Sequence, residues 1–277
     1  MRGEILSAVR RQLFRQWVTA KPLPRLFMNS WDNVAKWYDK LVGEHGSDYH
    51  SNVIIPGALK LISPKRGEQA LDVACGQGVF CRRLDELGVR VTGIDASPEL
   101  INQAKQRSPK IHYLVSDAKN LHRFQDNTFD FVTCIMAIMN FDPFEPAIKE
   151  MARVIKAPGR ILLVMNHPCF RIPRQSGWGF DEQRKLQYRR VDNYMTALKI
   201  PIQMQPGYDP KKLTWTYHRP LTEYFQAFQN SGLAVSRLEE WTSHRTSAPG
   251  AKKRAEDRSR NEIPLFLALL LEPVRSD

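Results

Sequence analysis

The stretch from Gln69 to Asp95, QALDVACGQGVFCRRLDELGVRVTGID, constrains this chain more than any other. An apolar run, Ala70-Leu71-Asp72-Val73-Ala74, ends in Cys75-Gly76-Gln77-Gly78. Apolar residues at helical spacing follow, and a second apolar run from Val89 to Ile94 ends on Asp95. Strand, glycine turn, helix, strand and acid make one half of a nucleotide-binding α/β sheet. Gly76 and Gly78 permit a tight turn and a close backbone approach to a ligand. The helix that opens near Gly78 points its positive end the same way. The unit predicts a parallel sheet with an adenosine-containing ligand at one end.

The rest of the chain extends this alternation. Helical spacing over 31–63 and over 51–62 precedes the first strand, 69–75, and its helix, 78–88. Strand 89–94 is followed by a helix over 98–107, opened by Ser97-Pro98-Glu99, a cap followed by proline. Strands are predicted over 111–115, 129–135 and 160–166, with a helix over 145–155. Strands that alternate with helices pair in parallel. The rhythm breaks over 167–218, where about 50 residues rich in aromatics and arginines are too long for an ordinary connection. Segments 187–196 and 199–205 read there as a β-ribbon. A helix over 221–230 and strands over 233–241 and 264–271 close the pattern, the last pair partly antiparallel. The polar, basic stretch 243–260 reads as a mobile loop.

Length and charge set limits. A chain of 277 residues suits one large α/β domain. Its formal net charge is +12, with pI near 9.7. That permits nucleic acid, an anionic membrane or an acidic small molecule, and selects none. Cys75, Cys81, Cys134 and Cys169 form no C-x-x-C pair and sit beside no histidine cluster, so neither a metal site nor a disulfide framework is expected. Free thiols suit a cytoplasmic location. The longest apolar stretch, 265–271, is too short to cross a bilayer. Residues 1–28 are basic and acid-poor, which suits a poorly ordered extension, an upstream start, a transit peptide or a surface-binding helix. The expected organisation is this extension, a helical cap over 29–66, and a domain over 67–277 carrying the insertion 167–218.

Three acids stand at three successive strand ends. Asp72 lies inside the first strand, where a buried carboxylate needs donors. Asp95 ends the second strand, from which a carboxylate can accept from both hydroxyls of a ribose. Asp117 ends the third and, with the Ala118 amide, can read an adenine edge. The third position of the dinucleotide glycine pattern is Cys81, so that fingerprint is incomplete.

Leu71-Asp72-Val73-Ala74-Cys75-Gly76-Gln77-Gly78, Gly93-Ile94-Asp95-Ala96-Ser97, Ser116-Asp117-Ala118, Phe129-Asp130-Phe131-Val132 and Ala157-Pro158-Gly159-Arg160-Ile161-Leu162 together resemble the class I S-adenosylmethionine-dependent methyltransferases, in order over about 67–166. The resemblance implies a Rossmann-like α/β fold: a seven-stranded, mostly parallel sheet with helices on both faces and a substrate-side insertion. It implies S-adenosyl-L-methionine as cofactor. Asp72, Ala74, Cys75, Gly76 and Gly78 would lie on the methionine part, Asp95 and Ala96 on the ribose, and Asp117 and Ala118 on adenine. Cys134, Ile135 and Met136 would lie near the sulfonium, with Tyr38 on a helix closing over the cofactor.

The acceptor side is less defined. His167, just past the fifth strand, and His218 are candidate general bases. Arg171, Arg174 and Arg219 could clamp an acidic substrate group. Trp178, Trp215 and Tyr217 could wall an apolar pocket or pack the insertion. The stretch after the fourth strand, Cys134-Ile135-Met136-Ala137-Ile138-Met139-Asn140-Phe141, lacks the Asn/Asp-Pro-Pro-aromatic turn frequent in enzymes that methylate exocyclic or amide nitrogen. A small-molecule acceptor in a greasy pocket is the leading expectation. RNA methylation and a non-catalytic, cofactor-binding regulatory module are the alternatives. No motif speaks to the acceptor atom or to the oligomeric state.

Overall fold

The structure is a computed structural model and describes residues 31, 32, 34–203 and 213–274. The basic stretch 1–28, for which a disordered extension was one expectation, lies outside the described residues. Among those described, one sheet of seven strands runs β10-β11-β5-β4-β1-β2-β3. Its parallel part is β1 (Gln69–Val73), β2 (Arg90–Asp95), β3 (His112–Val115), β4 (Phe129–Ile135) and β5 (Ile155–Asn166). The last strand, β11 (Phe266–Pro273), inserts antiparallel between β5 and β10 (Leu233–Trp241).

The central strands are apolar on both faces because helices cover both. On one face, Leu71, Val73, Val132 and Leu163 pack against α5 (Glu145–Val154) and α6 (Leu221–Asn230) through Ile148, Met151, Tyr224 and Phe228. On the other, Ala70, Val91, Phe131 and Leu162 meet α2 (Ile55–Ile62), α3 (Val79–Glu86) and α4 (Pro98–Arg107) through Leu61, Phe80, Leu84 and Ile101. Successive strand residues divide between the two cores with a period of two. The chain runs from β1 outward through β2 and β3, then returns to β4 on the far side of β1. The gap between β1 and β4 is thus the topological switch point, where open α/β sheets bind ligands beyond the carboxyl ends of their strands.

Before the sheet lies α1 (Ala35–Val42), and a π-type turn over His50–Ile54 leads into α2. The cap is tied to the core at several points. Asp39 pairs with Arg107 on α4, the Gln77 side-chain amide donates to the Gly43 carbonyl (2.6 Å), and Arg82 donates to the Glu44 carbonyl (2.8 Å).

The insertion differs from expectation. It holds two ribbons, β6 (Ser176–Asp181) with β7 (Leu186–Val191), and β8 (Leu198–Gln203) with β9 (Leu213–His218). Among the described residues, 187–191 pairs with β6 and 199–203 with β9, so the expected single ribbon is replaced by two. The first turn explains why: Asp181 Oδ1 accepts from the Gln183 and Arg184 amides, closing the chain back on itself early. Tyr188 then lies across Gly179, where a Cβ would come within 2.4 Å of the ring. The basic stretch 243–260 is not all loop, since α7 (Lys253–Glu262) forms there and Ser259 reaches Gln187 on β7 at 2.5 Å. β5 begins at Ile155 rather than Arg160.

Candidate active site

A cavity of about 290 Å³ opens at the carboxyl ends of β1 to β4. Ala74 and Gly76 border it after β1, Asp95 and Ala96 after β2, Asp117 and Ala118 after β3, and Ile135 and Met136 after β4, while Tyr38 reaches it from α1. Parallel pairing brings these ends to one edge, although they are scattered over the sequence. Ala74 (φ 56°) and Met136 (φ 57°) both hold left-handed backbone although neither is glycine. Such conformations persist where the surroundings over-determine them, and they cluster at ligand sites. Here they turn the chain sharply on either side of the switch point.

Asp95 is the best-anchored polar group of the cavity. Its Oδ2 accepts from the Gly76 amide (2.9 Å) and its Oδ1 from the Ser97 amide (2.8 Å). Burial pushes its pKa up to about 6, against the pull of those backbone bonds. A carboxylate has about four acceptor positions. The Gly76 and Ser97 amides, with a smaller contribution from Ala96, take up part of that capacity and fix the group's orientation. A rigidly held carboxylate with acceptor capacity remaining fits a vicinal diol such as a ribose. Tyr38 is a neutral phenol, its pKa raised to about 12 by burial first and then by the Asp95 charge. Asp117 is more exposed; its Oδ1 accepts from the Lys119 amide at 2.9 Å.

Several residues expected around the cofactor do not line the cavity. Asp72 is buried beneath it, accepting from Thr133 Oγ1 (2.6 Å) and Cys81 Sγ (3.2 Å), with burial raising its pKa to about 6. Cys75 and Cys134 are buried thiols. Gly78 (φ +82°) approaches a side chain instead of a ligand: a Cβ there would stand 2.3 Å from the Tyr113 hydroxyl.

The opposite wall is aromatic. Asn140, Phe141 and Asp142 follow β4, and Trp215 and Tyr217 project from β9. Alternation along β9 turns these two rings the same way, while Thr216 on the other face donates to the Met139 carbonyl at 3.3 Å. Lys199, paired in register with Tyr217, sets its ammonium 4.6 Å from the centre of the Trp215 ring. Trp31, Leu100, Ser116 and Lys119 also border the cavity. Sequence reading missed them, together with Asn140 and Asp142. Position just beyond a strand end was the available signal for Ser116, Asn140 and Asp142.

The histidines are placed elsewhere. His167 is buried, its Nε2 2.7 Å from Glu240 Oε1 and its Nδ1 accepting from the Cys169 amide at 3.2 Å. That pattern puts the ring proton on Nε2 and leaves no free nitrogen. Burial lowers its pKa, partly offset by Glu240. His218 Nε2 lies 2.7 Å from the Tyr194 carbonyl. Neither borders the cavity, so the structure does not bring these two candidate bases together with Asp95 and Asp117: His167 meets Glu240 on β10 and His218 the Tyr194 carbonyl of the insertion. Arg171 stacks over Phe266 (5.2 Å) and Trp178 under Arg189 (5.0 Å), also away from it. Arg219 is buried and bonded to the Phe141 carbonyl and Asp142, so neither Arg171 nor Arg219 borders the cavity as an expected clamp, and Trp178 does not wall it.

Residues 71–163 match the family profile described as a methyltransferase domain. The chain is 27% identical over 248 residues to a demethylmenaquinone methyltransferase from Paenarthrobacter aurescens, an alignment covering 83% of this chain and 92% of that protein. Residues 71–163 thus carry a methyltransferase domain, within a chain of the class I S-adenosylmethionine-dependent methyltransferase fold. A demethylmenaquinone methyltransferase from Corynebacterium kroppenstedtii is 30% identical over 152 residues, covering 52% of this chain and 61% of the relative. An S-adenosylmethionine-dependent methyltransferase from Mesorhizobium loti superposes with a TM-score of 0.63 at 22% identity, over 80% of this chain and 98% of that one, and shows the shared fold. The cofactor of this methyltransferase family is S-adenosyl-L-methionine. Among the described residues, no helix is long and apolar enough to cross a membrane, and no group of histidine, cysteine and acidic side chains is placed to hold a metal ion.

Proposed function

We propose that this methyltransferase transfers the cofactor's methyl group to a small planar aromatic acceptor held against the second ribbon. One observation carries the reading: Phe141, Trp215 and Tyr217 wall the same cavity as Asp95 and Asp117. Flat rings offer an apolar face that stacks well on other rings. The substrate in the relatives' name, demethylmenaquinone, is a fused-ring quinone, and its reduced form would suit such a wall.

Asp95 would hold the ribose, the Asp117-Ala118 segment the adenine, and the Gly76 turn the amino-acid end. When bound, S-adenosylmethionine supplies a methyl group already activated on a sulfonium, whose carbon–sulfur bond breaks with its electron pair passing to sulfur. The protein's own part is alignment and exclusion of water, which together supply much of the rate in such transfers. Trp31 and Tyr38 cover the cavity from the cap, and the aromatic wall covers it from the ribbon. An acceptor that arrives ionised needs no base. One that arrives protonated would pass its proton to Asp142, the carboxylate on the acceptor side.

The test is anaerobic incubation of the full chain with methyl-labelled S-adenosylmethionine and naphthohydroquinone, other quinols, simple phenols or bulk RNA in parallel. Gain of one CH2 unit by a small aromatic acceptor supports the reading. Label entering RNA alone, or cofactor binding without transfer to any of these acceptors, sinks it.

A further inference from the structure

We infer that Arg219 is a positioning residue that fastens together the two chain segments forming the acceptor wall, so that the acceptor's fit depends on its planar guanidinium and the cofactor's does not. The inference rests on the small-acceptor reading above.

Arg219 stands one residue past β9 and is only 6% exposed. Its Nη2 donates to the Phe141 carbonyl (2.9 Å) and to Asp142 Oδ1 (3.0 Å). Its guanidinium lies over two rings, with Cζ 4.7 Å from the centre of Phe144 and 5.2 Å from that of Tyr217. Phe141 and Asp142 belong to the segment after β4, and Tyr217 to β9; all three border the cavity. One side chain thus bonds one half of the wall and stacks on the other. Its partners include none of the residues at the ends of β1, β2 and β3.

The arrangement is a costly way to build a core. Nη1 is buried and makes no hydrogen bond of good geometry among the described residues, although the guanidinium lies near enough to the Tyr224 hydroxyl to act on it. The nearest Glu223 oxygen is 4.0 Å from Nε. Burying a cation with an unfilled donor is unfavourable, and an apolar side chain of similar volume often serves stability as well or better. What an apolar residue cannot do is hold a carbonyl and a carboxylate at a fixed distance from a stacked ring. Both bonds leave one nitrogen, so a lysine ammonium could make them, but it has no flat face to lie over Phe144 and Tyr217 at the same time.

The experiment uses the full-length chain with Arg219→Lys and Arg219→Met. Three readouts are taken: amide hydrogen exchange over 137–142, 213–217 and 93–97; calorimetric affinity for S-adenosylhomocysteine; and KM for naphthohydroquinone against kcat. In both variants exchange should rise in the first two segments together and not in 93–97. Cofactor-product affinity should stay within about twofold while acceptor KM rises about tenfold or more. Unchanged exchange and KM in Arg219→Met would overturn the inference, as would full recovery by lysine or an equal loss of cofactor-product affinity. Should Arg219→Met fail to fold, Arg219→Lys decides by itself, since it keeps the charge and a donor and removes the planar face that stacks on Phe144 and Tyr217. If the unaltered protein methylates no quinol or phenol, the small-acceptor reading fails; the exchange measurement needs no acceptor and still tests the fastening.

Discussion

Acidification should weaken cofactor binding through Asp95, and the size of the effect follows from its surroundings. Burial raises the Asp95 pKa to about 6, where the ordinary value is 3.8. The ribose hydroxyls donate, so binding favours the carboxylate over the neutral acid. The apparent dissociation constant then scales with the reciprocal of the ionised fraction. Near pH 7.5 that fraction is almost complete; near pH 5 it is roughly one in eleven. Affinity for S-adenosylhomocysteine should fall about tenfold between them, or about 1.4 kcal/mol. Stability has the opposite sign. A carboxyl raised above its unfolded value stabilises the fold fully below about 3.8, and that contribution is lost as pH rises through about 6. The protein should therefore lose ligand on acidification before it loses structure. Calorimetric titration at both pH values, with melting followed in parallel, measures the two effects. Asp95→Asn should bind more weakly near neutrality, by about 1–3 kcal/mol, and should lose the pH slope. The same slope in Asp95→Asn would refute the reasoning and move the titrating group elsewhere, with Asp72 first in line because burial raises it to about 6 too.

Three further outcomes follow from single contacts. His167→Ala should keep turnover while lowering thermal stability by about 1–3 kcal/mol, because Glu240 and the Cys169 amide lose a partner; abolished turnover in a folded variant would restore His167 as a base. Gly78→Ala should cost at least about 1–2 kcal/mol for the left-handed backbone alone, and the Tyr113 clash should add to it. Measured in a Tyr113→Ala background, where the cavity cost is common to both proteins, the Gly78→Ala step should cost less in a denaturant melt, and an unchanged cost would show that the clash is not what Gly78 relieves. Trp215→Ala should raise KM for an aromatic acceptor about tenfold and leave cofactor affinity alone, as competition kinetics would reveal.

The two halves of the site were not equally legible in the sequence. The side at the ends of β1, β2 and β3 could be read residue by residue, since Gly76, Asp95 and Asp117 each follow an apolar run directly. Strand order then brings those ends to one edge with no further information needed. Asp72 stood in the same pattern, yet an even position on β1 turns it away from the cavity toward Thr133 and Cys81. Gly78 looked like a ligand-facing glycine, and only the packed position of Tyr113 shows what it accommodates. The insertion was legible as an insertion, but its pairing was not. Alternating segments 187–196 and 199–205 look equally able to pair with each other, and the early turn closed by Asp181 decides between partners.

By itself the sequence determined the sheet, its switch point and the acids placed around it, because each is written in a local run of fewer than about ten residues whose periodicity names its element. The tertiary structure alone decided which residues border the cavity and what His167, His218 and Arg219 touch. A polar side chain's function depends on which of its donors and acceptors remain free. Those of His167 are taken by Glu240 and Cys169, and two of Arg219's bonds go to Phe141 and Asp142. These partners are brought close by the closing of the sheet, and nothing in the spacing of the chain announces them.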